Sequence, residues 1–241
     1  KMAISGRITQ RGTVASIERI SPRRLLLEHG QIKILDSSAK DMDEVVFQMG
    51  KNDVFIIGAN AIDINRKAAI MVGDPFGGSA SRVPGLAAQG VTIIIAVGWE
   101  KLIPCPIEEA VFAAGTDKVD VSMGMAVGLI PISGTVVTET DAISMLADVK
   151  TTMIGAGGVM GGEGSSTFVI EGEQSKVKLA WEIVSSIKGT ELSAVPESLT
   201  ECVGKSSRCA QYVTVSSRHV PLDHRCVYRE PHLVQKMLST K

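Results

Sequence analysis

A glycine-rich stretch at residues 72–86, VGDPFGGSASRVPGL, follows one apolar run, and Asn60 follows another that ends at Gly58. Glycine turns expose backbone N–H groups, which with serine hydroxyls bind phosphates and carboxylates. Ligands of open α/β sheets lie outside the carboxyl ends of the strands, so the stretch predicts an anion site. The predicted ligand-binding residues are Gly58, Asn60, Gly73, Asp74, Gly77, Gly78, Ser79 and Lys101. The alternative is a tight hairpin followed by an ordinary loop.

The stretch GWEKLIPCPIEEA, residues 98–110, holds two further candidates for chemistry. Lys101 could pair with an anion. Cys105 lies between two prolines, directly before a predicted helix, and a helix N-terminus favours the thiolate that a nucleophile needs. The alternative for Cys105 is a buried structural thiol, which is the commoner case. The candidate catalytic residues are Asn60, Lys101, Cys105 and Glu163.

A second glycine-rich stretch, GAGGVMGGEGSS, covers residues 155–166. It is not a dinucleotide fingerprint, because Met160 stands where the third glycine belongs and a strand follows instead of a helix. A flexible anion-binding loop or a close subunit contact against bare backbone fits better. Glu163 is the one ionisable residue in the stretch. It is either a candidate acid or base or an ordinary solvated side chain.

Cysteine and histidine residues cluster near the carboxyl end of the chain, within residues 201–232. Cys202, Cys209, His224 and Cys226 supply ligand types for a tetrahedral zinc site or an iron–sulfur cluster. Their spacing is loose, and no Cys-x-x-Cys pair occurs. The alternative is a basic tail in which these residues are incidental.

The elements that must position these candidates are strands and helices in alternation. Residues 54–59, 68–73 and 91–98 are continuous apolar runs ending at or near glycine, typical of strands buried on both faces. Residues 107–115 predict a helix that stops at Gly115. We therefore expect an open, mostly parallel α/β sheet flanked by helices.

From residue 132 the pattern changes to strand, helix, strand, strand, helix, which predicts a smaller, ferredoxin-like α+β unit. The expected organisation is an α/β ligand-binding domain over residues 1–131, the small unit over residues 132–190, and a Cys/His-containing segment over residues 191–241. The small unit is either a second domain or an extension of the first sheet.

The segments NDVFIIGANAIDINRKAAIMVG and VTIIIAVGWEKLIP resemble the isomerase and CoA-transferase superfamily, which includes ribose-5-phosphate isomerase and the lactate-utilisation C-type proteins. The likeness covers residues 40–105. It implies an α/β fold and a ligand site at the strand ends, near Asn60 and Lys101. The isomerases of this superfamily carry aspartate where this chain has Asn60, so the resemblance implies no particular reaction.

Composition narrows the function classes. The net charge is −1, which gives no argument for binding nucleic acid or an anionic membrane. The longest apolar run is too short to span a bilayer, and the four cysteines do not suggest a secreted disulfide framework, so we expect a cytoplasmic protein. The expected partners are small anionic metabolites and further copies of the chain. The leading hypothesis is an isomerase or transferase acting on such a metabolite. The alternatives are a non-enzymatic oligomeric assembly module and a metal- or cluster-dependent redox accessory protein.

Overall fold

The structure is a computed structural model, and it describes residues 6–9, 12–15, 24–35, 39–73, 77, 80–116, 118, 127–160 and 162–188. Its strands are β1 (Gly6–Thr9), β2 (Gly12–Ala15), β3 (Arg24–Glu28), β4 (Gln31–Leu35), β5 (Val54–Gly58), β6 (Ala61–Ile62), β7 (Ala68–Val72), β8 (Thr92–Ala96), β9 (Gly128–Ile132), β10 (Thr135–Val137), β11 (Lys150–Gly157) and β12 (Ser165–Glu171). Its helices are α1 (Ala39–Gln48), α2 (Val83–Ala88), α3 (Ile107–Ala113), α4 (Glu139–Ala147) and α5 (Gln174–Ile187). A short 3-10 turn, Trp99–Lys101, follows β8.

A three-stranded parallel sheet with the order β10–β8–β5 is the centre of the fold. The middle strand β8 buries Ile93 and Ile95, and Ile95 lies beside Ile57 of β5 and Val136 of β10. Leu86 of α2 is buried in the same core cluster. The apolar runs at 54–59 and 91–98 are therefore strands, as predicted, and helices flank the sheet. Strand β5 is not buried on both faces, however, because Val54 and Ile56 on one of its faces are 51% and 55% exposed.

The third apolar run, residues 68–73, belongs to a separate sheet. Strand β7 pairs antiparallel with β6 and with β9. Only residues 63–67 separate β6 from β7, and a connection of that length closes a hairpin but is far too short for a parallel crossover. The fold is thus a mixed α/β arrangement with a small parallel sheet and separate antiparallel sheets, rather than one large open sheet.

The segment from β10 to α5 has the predicted order of strand, helix, strand, strand and helix. Helix α4 begins at a capping box in which Thr138 and Asp141 satisfy free backbone N–H groups at the helix start. Phe168 and Ile170 of β12 pack against Ile143 of α4 and Ala180 of α5. Because β10 pairs with β8, this segment starts inside the parallel sheet, whereas β11 and β12 pair only with each other among the described strands.

None of the helices in the described part of the chain combines the length and the apolar character needed to cross a membrane.

Candidate functional site

The carboxyl edge of the parallel sheet joins the turn after β8 to the start of the helix after β10. The backbone N–H of Trp99 donates to Glu139 Oε2 at 3.0 Å, and its indole Nε1–H donates to Thr140 Oγ1 at 3.1 Å. Parallel strands end at the same edge of a sheet, which is why residues forty positions apart meet here. This is the place in an α/β sheet where ligands are expected.

Two carboxylates converge at this edge on the bare backbone of Gly98. A methyl group added at Gly98 would overlap Glu100 Oε2 and would lie 2.7 Å from Glu139 Oε1. The Nζ of Lys101 lies 3.6 Å from Glu100 Oε1, and the Lys101 side chain is 33% exposed. Glu100, Lys101 and Glu139 thus form a compact polar cluster, which we call the edge cluster. Its residues can pair with an ion or exchange protons with a ligand.

A hydrogen-bond network fixes the start of helix α4, where Glu139 of the edge cluster lies. Asp141 Oδ2 accepts from the Thr138 backbone N–H and hydroxyl, both at 2.7 Å, and from Arg66 at 2.6 Å. Arg66 also donates to the carbonyl of Val136 at 2.9 Å. Burial alone would raise the pKa of Asp141, but the Arg66 guanidinium and the Thr138 donors outweigh it and lower the pKa.

Asp63 is a fully buried carboxylate beside the site. It accepts backbone N–H groups of Asn65 at 2.8 Å, Lys67 at 2.9 Å and Ile107 at 3.1 Å. It therefore closes the β6–β7 turn and holds the first residue of α3. Burial alone would raise the pKa of Asp63, but the three backbone donors favour the charged form, and the pKa lies below its ordinary value of 3.8.

The backbone and the side chain of Asn60 both form hydrogen bonds to strand β7. Its backbone N–H donates to the Ala69 carbonyl at 2.9 Å, and its side-chain Oδ1 accepts the Met71 N–H at 3.0 Å. The tight-hairpin alternative thus describes these contacts. Gly58 ends β5 at the carboxyl edge, as expected.

The rest of the first glycine-rich stretch is described only in part. Gly73 follows the end of β7. Gly77 is buried with φ of +74°, and a side chain there would meet Ser81 Cβ at 3.0 Å, so both conformation and space call for glycine. Asp74, Gly78 and Ser79 lie outside the described residues.

Among the candidate catalytic residues, the structure brings only Lys101 into the edge cluster itself. Cys105 is a half-buried free thiol two residues before α3. Glu163 is exposed and precedes Gly164, where an added Cβ would lie 3.8 Å from Glu100 Cβ. The tail residues Cys202, Cys209, His224 and Cys226 lie outside the described part of the chain, so the zinc or cluster site stays a prediction. Within the described part, no group of three potential metal-ligating side chains occurs.

Sequence inspection missed Glu100, Glu139 and Asp63. Glu139 carries a local signal, because it follows a strand and a threonine cap at residues 135–138. For Glu100 and Asp63 the local sequence does not show the distant contact of each, which is Glu139 for Glu100 and the Ile107 N–H for Asp63. Comparisons with family models, with curated proteins and with solved structures find no match to this chain.

Proposed function

We propose that the chain binds a small metabolite with a phosphate, carboxylate or CoA-linked group at the carboxyl edge of its parallel sheet. In this proposal it acts as an isomerase-type or transferase-type enzyme. The observation that carries the proposal is the convergence of Glu100 and Glu139 at Gly98, with Lys101 paired to Glu100. The resemblance of residues 40–105 to the isomerase and CoA-transferase superfamily supports the same edge.

Lys101 is the residue that would hold the anionic group. Its 3.6 Å pair with Glu100 is partly exposed, and pairs of this kind contribute at most about 1 kcal/mol. A ligand anion can therefore replace Glu100 as the partner of Lys101 at small cost.

The two carboxylates would act on the neutral part of the ligand. A carboxylate held against a substrate can accept a proton and return it at a neighbouring atom, which is the step that isomerases need. Glu139 suits this role because the Trp99 backbone N–H fixes its other oxygen at 3.0 Å. Proton transfer of this kind consumes no cofactor, since one proton is removed and one is returned, and the proton held by the carboxylate can exchange with solvent between the two steps.

The proposal is tested by thermal shift against CoA esters, sugar phosphates, nucleotides and small carboxylic acids. A ligand at a hundred times its Kd should add roughly 2.7 kcal/mol of stability. Lys101→Ala should weaken that ligand about tenfold, or about 1.4 kcal/mol. Without ligand, it should change the free energy of unfolding by less than about 1 kcal/mol. Lys178→Ala is the matched control, because Lys178 is 77% exposed on α5 and should bind ligand as the wild type does.

Two results would count against this function: no ligand class that stabilises the protein, or equal affinity in Lys101→Ala and Lys178→Ala. The proton-transfer step is tested with whichever ligand class binds. In heavy water, the wild type should exchange a carbon-bound hydrogen of that ligand, as NMR detects, and Glu139→Gln should not. Glutamine keeps an acceptor for Trp99 but cannot serve as the base.

A specific observation also favours the assembly alternative. Ile154 and Val169 on the β11–β12 hairpin are 63% and 42% exposed, on the side that α4 and α5 leave uncovered. Exposed apolar patches on a sheet face can mark interaction sites. If assembly is the function, sedimentation velocity should show concentration-dependent association that Ile154→Ser with Val169→Ser abolishes. A monomer at every concentration would exclude it.

A further inference from the structure

A row of hydrogen-bonded side chains connects Asp141 to Trp99 at the start of helix α4. The Trp99 indole Nε1–H donates to Thr140 Oγ1 at 3.1 Å, and the Oγ1 atoms of Thr140 and Thr138 lie 2.9 Å apart. The hydroxyl of Thr138, a residue that is only 2% exposed, donates to Asp141 Oδ2 at 2.7 Å. These four side chains form a continuous path from the helix start to the turn after β8, which we call the hydroxyl relay.

The direction of each hydrogen bond in the hydroxyl relay follows from the chemistry of its groups. The carboxylate of Asp141 is ionised at neutral pH and only accepts, so the single hydroxyl proton of Thr138 points to it. Thr138 then has no proton left for Thr140, and the Thr140 hydroxyl is the donor between these two. The indole nitrogen of Trp99 can only donate. All three donors thus point toward the charge on Asp141, and hydrogen bonds aligned in this way strengthen one another.

Arg66 binds the charged end of the hydroxyl relay from a distant hairpin. Its Nη2 donates to Asp141 Oδ2 at 2.6 Å and to the Val136 carbonyl at 2.9 Å. The backbone of Arg66 has φ of +61° in the turn between β6 and β7, which is uncommon for a residue with a side chain. Such a conformation persists only where surrounding contacts hold it, and residues of this kind cluster at functional sites. The carboxylate of Asp141 is therefore held from two sides, by Arg66 and by Thr138.

The other end of the hydroxyl relay holds the residue that binds Glu139. The backbone N–H of Trp99 donates to Glu139 Oε2 at 3.0 Å, while the indole of the same residue donates to Thr140. Glu139 is the first residue of α4, and Thr140 is the second. Trp99 is thus attached to the helix at two points, and loosening of its side chain would also affect its backbone contact with Glu139.

We propose that Asp141 is a positioning residue for Glu139, and that it acts through the hydroxyls of Thr138 and Thr140 on Trp99. The aligned hydrogen bonds hold the indole ring, and the held ring keeps the Trp99 backbone N–H directed at Glu139. Without the charge on Asp141, the ring loosens and the Glu139 carboxylate loses its fixed oxygen. The proposal rests on the proposed function, because it assigns the residue that orients the carboxylate of that same site.

NMR of protein labelled with heavy nitrogen at tryptophan measures both hydrogen bonds of Trp99 without any ligand. The chain has two tryptophans, so the spectrum contains backbone and indole N–H signals of Trp99 and Trp181 only, and Trp181→Phe assigns them. Trp181 is 72% exposed on α5 and serves as the internal control. Asp141→Asn should raise the solvent exchange rates of both Trp99 N–H groups at least about fivefold, because their local opening becomes easier. The rates at Trp181 should stay unchanged.

A double-mutant cycle separates action through the hydroxyl relay from a general loosening of the helix start. Thr140→Val removes the middle hydroxyl and keeps the capping box of Thr138 and Asp141. If Asp141 acts through Thr140, adding Asp141→Asn to Thr140→Val should change the Trp99 rates by less than about twofold. If Asp141 serves only as a helix cap, its fold-change should be the same in both backgrounds. Thr140→Ser restores the hydroxyl and should restore the full response to Asp141→Asn.

Thr140→Val also tests the link to Glu139 by itself, in a protein whose helix cap is intact. It should raise the exchange rates of both the indole and the backbone N–H of Trp99. A rise at the indole alone would overturn the proposal, because the ring would then not control the contact with Glu139. Thr151→Val is the matched control, since the buried Thr151 hydroxyl has no hydrogen-bond partner among the described residues. Its removal should leave both Trp99 rates unchanged.

Two further results would overturn the positioning role of Asp141. One is a set of Trp99 rates in Asp141→Asn that match the wild type, and the other is an equal fold-change with and without the Thr140 hydroxyl. The proposed function would stand in either case, because it is tested by ligand affinity and by proton exchange on the ligand. If no ligand class binds, the proposed function fails, and the Trp99 rates still show whether Asp141 orients Glu139.

Discussion

Asp63→Ala should lower the free energy of unfolding by about 3 kcal/mol, the largest effect of any single substitution considered for this protein. The carboxylate is fully buried and accepts three backbone N–H groups, from Asn65, Lys67 and Ile107. Alanine leaves all three donors without their acceptor, and the buried Ile107 donor alone costs about 1–3 kcal/mol before the structure relaxes or water enters, with smaller losses at the part-buried Asn65 and Lys67 donors. Chemical denaturation monitored by circular dichroism measures the loss.

Asp53→Ala is the matched control for this substitution. Asp53 also accepts a backbone N–H, from Gly50 at 2.8 Å, but it is exposed. Water can replace its carboxylate, so the loss should stay below about 1 kcal/mol. Equal losses of unfolding free energy in Asp63→Ala and Asp53→Ala would contradict the effect assigned to the burial of Asp63.

The pH dependence of stability provides an independent check on Asp63. Its pKa in the folded protein lies below the ordinary value of 3.8, so its stabilising effect is complete above that pH. The effect is lost as the pH falls through the folded-state pKa. Asp63→Asn cannot titrate and should show a shallower decline of stability below pH 3.8. The depressed pKa of Asp141 adds to the decline in both proteins, so an identical slope would contradict the assigned role of Asp63.

Gly134→Ala should lower the free energy of unfolding by about 2 kcal/mol, because overpacking against a rigid core typically costs 1–3 kcal/mol. Gly134 lies in the connection between β9 and β10. A Cβ there would lie 2.8 Å from both the Cγ2 atom and the carbonyl oxygen of Ile93. Ile93 is buried in the central strand β8, so its backbone cannot move without disturbing the parallel sheet.

Gly85→Ala is the matched control for Gly134→Ala. Gly85 lies in helix α2, and a Cβ there would meet no atom within 4 Å. Alanine is the better helix former, so this substitution should raise stability by about 0.5–1 kcal/mol. Denaturation midpoints that move in the same direction for both variants would contradict the close approach at Ile93.

Strands and helices with strong local patterns are the part of the fold that sequence could predict. The apolar runs in β5 and β8 and the amphipathic helix α5 follow directly from the spacing of their residues. The capping box of Thr138 and Asp141 is a further local signal, at the start of α4. Each of these signals depends on residues that are neighbours in the sequence. Such elements can therefore be recognised without knowledge of the tertiary structure.

Strand partners could not be predicted in the same way. The run in β7 has the composition of a buried parallel strand, yet a five-residue turn closed by Asp63 makes it half of an antiparallel hairpin. Asn60 stood at a plausible ligand position, and the same hairpin uses its side chain to accept the Met71 N–H. The composition of an apolar run indicates only that a strand contributes to the core. The strand with which it pairs depends on the length of the connecting turn and on which strand edges are still unpaired.

The sequence by itself determined that the chain forms a mixed α/β fold with buried strands that end in polar, glycine-rich turns, because periodicity and turn residues are local properties. Only the tertiary structure decided that Glu139 comes close to Glu100 beside Gly98, next to the Lys101–Glu100 pair. Parallel pairing of β8 with β10 brings the start of α4, with Glu139, beside the turn after β8 that carries Glu100 and Lys101. Such meetings follow from how strands order in a sheet, which depends on the whole chain at once.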